Sequence, residues 1–241
     1  MDPLFWELHS GLAHEAPGSP ADTLRALALT GLSGRVRVLD AGSGPGAASL
    51  ALLAALPEAE VTAVDLHPPF LAAAEERARA AGVAARFRTM VADMGSPPFP
   101  PASFDLVWSE GAAYSVGVPQ ALAAWAPLLA PRGRIAFSEA VWLTATPAAR
   151  ARALFAGYPA MTDVAGVRGW IAAAGLTLLI GDFLLSPAAW DAYYRPLAAR
   201  VEAQLPRHGA EHPVIAEHLE EIAVWRAHGE DYGYGFFVAA G

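Results

Sequence analysis

From Arg35 to Val141 short apolar runs alternate with stretches of helical length, and this alternation constrains the fold more than any other feature of the sequence. Strand-sized runs separated by helices specify βα units, and βα units build a mostly parallel sheet with helices on both faces. The spacing predicts strands at Val36–Asp40, Val61–Asp65, Phe87–Val91, Phe104–Trp108 and Arg134–Val141. Between them it predicts helices over Ala47–Leu56, from Pro68-Pro69 to about Ala81, and from about Pro119 to Leu129. Gly82 stops the second of these helices, and Pro131-Arg132-Gly133 leads into the fifth strand.

The flanks follow other rules. Ser19-Pro20-Ala21-Asp22 reads as a helix start, with a serine cap, proline in the first turn and an acid near the helix N-terminus, and Gly31 ends that helix. Asp163 can cap a helix through Ala174 that stops at Gly175, and Leu176–Leu185 reads as a sixth strand. Residues 187–229 read as mainly helical, with Trp190, Tyr194, Leu197, Val201 and Leu205 forming an apolar stripe. That stripe can roof a pocket or simply pack. Tyr234–Ala239 is the last strand. The expectation is one α/β domain, doubly wound, over 1–241: a cover and helix in 1–34, a core in 35–141 and a helical insertion in 187–229.

Composition narrows the chemistry. Of 241 residues 54% are hydrophobic and 17% charged, enough apolar surface for a large core. There is no cysteine, lysine or asparagine, which excludes disulfides, thiolate metal sites, Schiff-base lysines and phosphate-loop lysines. A net charge of −8 disfavours nucleic acid and anionic membranes as partners. No apolar run reaches the length of a membrane span, and Met1-Asp2-Pro3-Leu4 carries an acid where a secretory leader carries positive charge, so a cytoplasmic protein is expected. Trp142 and Trp190 can serve the core or a homodimer contact.

The most informative segment is Val38-Leu39-Asp40-Ala41-Gly42-Ser43-Gly44-Pro45-Gly46, a glycine loop between a strand and a helix. Gly42-x-Gly44-x-x-Ala47 also fits a dinucleotide loop. Two residues argue against a pyrophosphate there: Asp40 would repel it, and Pro45 withholds an amide. An ammonium-bearing nucleoside suits the loop better, and S-adenosylmethionine (SAM) carries an ammonium, a ribose and an adenine without phosphate. Asp65, ending the second strand, can grip ribose hydroxyls. Asp93, after the third, can accept from an adenine amine while Met94 packs on the base. Three acids at three successive strand ends fall where an open α/β sheet binds ligand.

Asp40-x-Gly42-x-Gly44-x-Gly46, Asp65 and Ala92-Asp93-Met94 resemble the successive SAM motifs of class I methyltransferases. Phe104–Gly111 and Leu128-x-x-Pro131-x-Gly133 resemble that family's fourth and fifth strands and the turn between them. More narrowly, the chain resembles a bacterial group classed as small-molecule methyltransferases. That likeness rests on Glu7-Leu8-His9-Ser10-Gly11, Trp108–Tyr114, Ser138–Trp142, Trp190–Tyr194 and Tyr232-Gly233-Tyr234. The resemblance implies a Rossmann-like, seven-stranded, mostly parallel sheet whose last strand is antiparallel. It also implies SAM as cofactor, S-adenosylhomocysteine as product and a small-molecule acceptor. Asp40, Gly42, Ser43, Gly44, Asp65, Leu66, Asp93, Met94 and Ser109 are the cofactor-side candidates.

The loop after the fourth strand reads Ser109-Glu110-Gly111-Ala112-Ala113-Tyr114, without the Asn/Asp-Pro-Pro-Tyr run of amino-directed DNA or protein methyltransferases. Glu110 is the catalytic candidate, as base or as orienter of an amine or hydroxyl; its alternative is a hydrogen bond to cofactor or to the N-terminal segment. Glu139 is a second pocket acid or a buried acid paired with arginine. His9 and His14 read as packing or cofactor cover. His208, His212, His218 and His228, with Glu211, Glu217, Glu220 and Glu221, read as a solvated helical face with no metal spacing. An NAD-dependent reductase and a non-catalytic SAM-binding protein are the competing readings.

Overall fold

The computed structural model describes the chain except Met1, Ala13, Ile180 and the side chain of Pro187. The N-terminal segment carries two helices whose first turns are set by short polar side chains. Asp2 accepts from the Leu4 amide at the start of α1 (Pro3–His9), and Ser19 accepts from the Asp22 amide at the start of α2 (Pro20–Thr30). Gly31 closes α2 in the left-handed region, φ 66°, where glycine carries no steric penalty.

The βα units then follow in order: β1 (Arg37–Ala41), α3 (Ala47–Ala55), β2 (Glu60–Asp65), α4 (Pro68–Ala80), β3 (Phe87–Val91), β4 (Phe104–Glu110), α5 (Val118–Trp125) and β5 (Leu129–Trp142). The remainder is α6 (Ala149–Leu154), β6 (Thr162–Asp163), α7 (Val164–Ala173), β7 (Thr177–Leu178), β8 (Phe183–Leu184), α8 (Pro187–His208), α9 (Pro213–His228) and β9 (Tyr232–Ala240). The sheet runs β3-β2-β1-β4-β5-β9-β7, with β6 on β5 and β8 on β9. β1 to β5 are mutually parallel, and β9 lies antiparallel to β5 over nine residue pairs, from Arg134 with Ala240 to Trp142 with Tyr232. This is the expected doubly wound sheet with a reversed last strand, and α8 and α9 form the helical insertion before it.

Alternation along the inner strands divides the core between the two faces. Leu106 and Trp108 of β4 and Phe236 of β9 join one cluster, with α2, α3 and α8; Val107, Phe137 and Phe237 join the other, with α5 and α7. Trp190 is buried in the first cluster, so its indole serves the core, and α9 packs beside α8. Among the described residues no helix is long and apolar enough to cross a membrane.

Two expectations need correction. Among the described residues Leu176–Leu185 is divided: Thr177–Leu178 and Phe183–Leu184 form two short strands on β9, and Gly181 stands at φ 118° between them. Ile180 of that stretch lies outside the described residues. β5 begins at Leu129, not Arg134, because the helix before it stops at Trp125 and a 3₁₀ turn covers Ala126–Leu128. Pro131-Arg132-Gly133 is thereby taken into the strand, where the register with β4 shifts and Arg132 adopts φ 67°.

Candidate functional site

The strand order turns back between β1 and β4, and a crevice opens beyond the carboxyl ends of the strands there. A cavity of about 530 Å³ occupies it, within the range of small-molecule sites. Asp40, Asp65, Asp93 and Glu110 all line it, one from the end of each of β1, β2, β3 and β4 or the residues just after. The N-terminal segment, α8 and α9 close it from above.

The glycine loop is shaped by contact from both sides. Gly42 and Gly44 stand at φ 72° and 51°, and a Cβ on Gly42 would lie 2.6 Å from the Ala112 methyl and 2.8 Å from Met94 Sδ. Its amides are already used. Gly42 and Ser43 donate to the Val64 carbonyl, Gly44 donates to Asp65 Oδ2 at 2.9 Å, and Gly46 donates to the Ser43 carbonyl. Pro45 has no N–H. A pyrophosphate would therefore meet a loop whose amides from 42 to 46 already have acceptors and whose nearest side chains are carboxylates.

Asp40 sits beneath the loop, 1% exposed, and accepts from Ser49 Oγ at 2.5 Å. Burial pushes its carboxyl up to about 6, against the Ser49 bonds, and the charge of Asp65 adds to the rise. Asp65 accepts from Gly44 through one oxygen and from the His67 amide through the other, at 2.8 Å, which fixes the carboxylate plane at the cavity wall. Asp93 accepts from the Gly95 amide at 2.8 Å, and the Met94 carbonyl accepts from Trp125 Nε1 at 2.9 Å. Leu66 is 67% exposed at the rim. Ser109, expected beside the cofactor, is fully buried, donates to the Ala41 carbonyl at 2.8 Å and does not line the cavity; it braces β1 from behind. These residues fit a SAM-sized ligand: a cradle that a single Cβ would fill, with acids for its polar groups.

On the facing side, Glu110 Oε1 accepts from Thr23 Oγ1 and from Trp108 Nε1. Burial raises the Glu110 carboxyl to about 7, against those two hydrogen bonds, with Asp40 and Asp22 adding to the rise. Gly111 next to it donates to Ser138 Oγ, and a Cβ there would collide with the Ala16 methyl. Glu139 lies behind this wall. Among the described residues no arginine pairs with it: Oε1 accepts from its own neighbour's amide, at Ala140, while Oε2 and the nearby Tyr158 hydroxyl lack a partner of good geometry. Burial pushes Glu139 up to about 8.

Tyr193, beside the apolar stripe expected to roof a pocket or to pack, lines the cavity, whereas the sequence reading missed Trp6, Glu15, His218 and Glu221 as lining residues. The expected solvated face of α9 fails at His218, 2% exposed, and at Glu221, which accepts from Tyr194 Oη at 2.9 Å. That face turns inward onto α1 and α8. His9 Nε2 and His218 Nε2 are 3.0 Å apart, and His9 Nδ1 is 2.6 Å from Glu15 Oε2. Trp6 stacks on His67 with centroids 3.6 Å apart, tying α1 to the start of α4. The spacing of His218 and Glu221, three residues apart on one helix face, was the available signal.

Comparison with known proteins agrees with this geometry. Residues 38–133 match the family model described as a methyltransferase domain. The chain is 53% identical over 51 residues to a release factor glutamine methyltransferase of Deinococcus radiodurans, covering 21% of this chain and 18% of that protein. It is 38% identical over 104 residues to a demethylmenaquinone methyltransferase of Thermus thermophilus, covering 43% and 46%. The chain thus spans less than half the length of either relative. In fold it is similar to the SAM-dependent methyltransferase from Geobacter sulfurreducens solved with S-adenosylhomocysteine, at TM-score 0.85 and 22% identity over 99% of this chain and 98% of that one.

Proposed function

We propose that this chain is a class I SAM-dependent methyltransferase that transfers a methyl group from SAM to a small-molecule acceptor. The observation that carries the reading is the convergence of Asp40, Asp65, Asp93 and Glu110 on one cavity beneath a glycine loop whose amides are already used. When bound, SAM supplies a methyl carbon activated by its sulfonium. The chain's own residues do the rest. Asp65 receives the ribose hydroxyls and Asp93 with Met94 receives the adenine, which leaves the reactive end facing β4.

Glu110 then stands across from the methyl group and orients an acceptor N–H or O–H. With its carboxyl near 7 it is available as a carboxylate at neutral pH and takes up the proton the acceptor loses as its bond to carbon forms. The cover of α1, α8 and α9 holds the two reactants together and keeps water out, the main contribution a displacement of this kind needs. A cytoplasmic metabolite is the acceptor class that suits a closed cavity of this size.

The test is incubation of the purified protein with SAM and pools of metabolites, read by mass spectrometry. The reading expects S-adenosylhomocysteine to form together with one product heavier by a methylene. SAM binding without transfer to any pool would turn it toward a non-catalytic SAM-binding protein.

A further inference from the structure

We infer that Glu15, fastened by His9 and His218 over the glycine loop, is the carboxylate that receives the α-ammonium of the cofactor's amino-acid end. This rests on the methyltransferase reading of the same cavity. The strand order supplies an address for each part of the ligand. With the adenosine held by Asp93 after β3 and Asp65 at β2, the amino-acid end extends over β1 toward β4. The acid of β1 itself, Asp40, lies beneath the loop at 1% exposure with its Oδ2 bonded to Ser49. Asp40 thus reaches the cavity only from below, and a carboxylate above the loop is supplied by the cover.

Glu15 is placed there. Its Cγ lies 3.7 Å from where a Cβ on Gly44 would stand, and it lines the cavity. The segment after it threads between the two loops: Ala16 fills the space left by the missing side chain of Gly111, and Gly18 passes Glu110 Oε2. A bulkier residue at either glycine would push this segment off the site.

The contacts of His9, His218 and Glu15 fix how many hydrogens the three side chains share. His218 Nδ1 is 2.7 Å from the Val214 carbonyl, which can only accept, so that nitrogen carries hydrogen. One hydrogen bridges the two Nε2 atoms at 3.0 Å, and another bridges His9 Nδ1 and Glu15 Oε2 at 2.6 Å. Two neutral imidazoles and a carboxylate would carry one hydrogen fewer. Three hydrogens make the chain an imidazolium against a carboxylate or two neutral imidazoles with a protonated Glu15; an ammonium arriving beside Glu15 selects the first, and Glu221 lies close enough to act on both rings. One oxygen of Glu15 is held by this chain. The other, Oε1, is shielded from solvent and has no hydrogen-bond partner among the described residues. A side chain serving only to fasten the N-terminal segment would have no reason to leave that oxygen bare.

The test compares two ligands that differ in the amino-acid end. S-adenosylhomocysteine carries it; 5′-methylthioadenosine has the same adenosine and thioether sulfur without it. By calorimetry Glu15→Gln is expected to weaken S-adenosylhomocysteine about tenfold or more while 5′-methylthioadenosine changes by less than about twofold. His218→Gln loosens the positioning of Glu15 and is expected to show the same selectivity at a smaller factor. Equal weakening of both ligands, or no change for S-adenosylhomocysteine, would overturn the assignment and leave Glu15 as a fastener. A wild-type protein that binds neither ligand would instead overturn the methyltransferase reading beneath it.

Discussion

Thr23 in α2 donates to Glu110 Oε1 at 2.8 Å, joining two residues 87 positions apart at the end of β4. The bond favours the charged carboxyl and opposes the burial that raises it to about 7. If Glu110 accepts the acceptor's proton, the methyl-transfer rate should rise with pH through about 7. Thr23→Val removes the opposing bond and should move that limb upward by about one pH unit. Glu110→Gln should remove the limb and most of the turnover while SAM affinity stays within a few-fold of wild type. A pH–rate profile identical in all three proteins would remove Glu110 from the chemistry.

Glu139 gives a stability prediction of defined sign. Its folded value of about 8 lies above the ordinary 4.5, so between those pH values the folded chain keeps a proton that the unfolded chain has lost. Stability from this group is therefore greatest below pH 4.5 and falls as pH rises toward 8. Glu139→Gln has no charge to bury. Its Tm should exceed that of wild type by about 4 °C or more at pH 9 and converge with it near pH 5. Thermal melts across that range check both the difference and its direction.

Gly42 is the position at which a single methyl group should damage the site most. At φ 72° an alanine is strained, and its Cβ would press on Ala112 and on Met94 Sδ. Gly42→Ala should cost about 1–3 kcal/mol of stability and lower S-adenosylhomocysteine affinity at least about tenfold. Chemical denaturation and calorimetry on the same preparation separate the two effects.

Trp125 supports Met94, the residue proposed to pack on the adenine. It is fully buried and its Nε1 donates to the Met94 carbonyl. Trp125→Phe leaves that carbonyl without its donor, at a cost of about 1–3 kcal/mol, seen as a Tm drop of about 2–4 °C for each kcal/mol. Because Met94 follows Asp93 directly, cofactor affinity should fall with it.

The repeating part of the fold was legible because each element obeyed a local rule. β1, β2 and β4 carry apolar runs that suit inner strands, Ser19 and Asp163 mark helix starts by accepting from backbone amides, and Gly31 marks a helix end. Asp40, Asp65 and Asp93 were legible as a set because strand ends share one edge of the sheet. Residues 176–185 misled because apolar content alone does not show where Gly181 bends the chain. Glu15 and His218 were hidden for another reason: they meet through His9, which is 209 residues from His218, and α9 lying back over α1 brings them together. Ser109 shows the converse, a polar residue in a cofactor-like position that spends its hydroxyl on the Ala41 carbonyl.

The central claim is that this cavity takes a charged sulfonium nucleoside and not a dinucleotide. Calorimetric titration of the purified protein with SAM, S-adenosylhomocysteine and NADH tests it most directly. Micromolar binding of the first two and none of NADH is the expected result. Binding of NADH alone would contradict it, because it would place a pyrophosphate against Asp40 and a loop whose amides are already engaged.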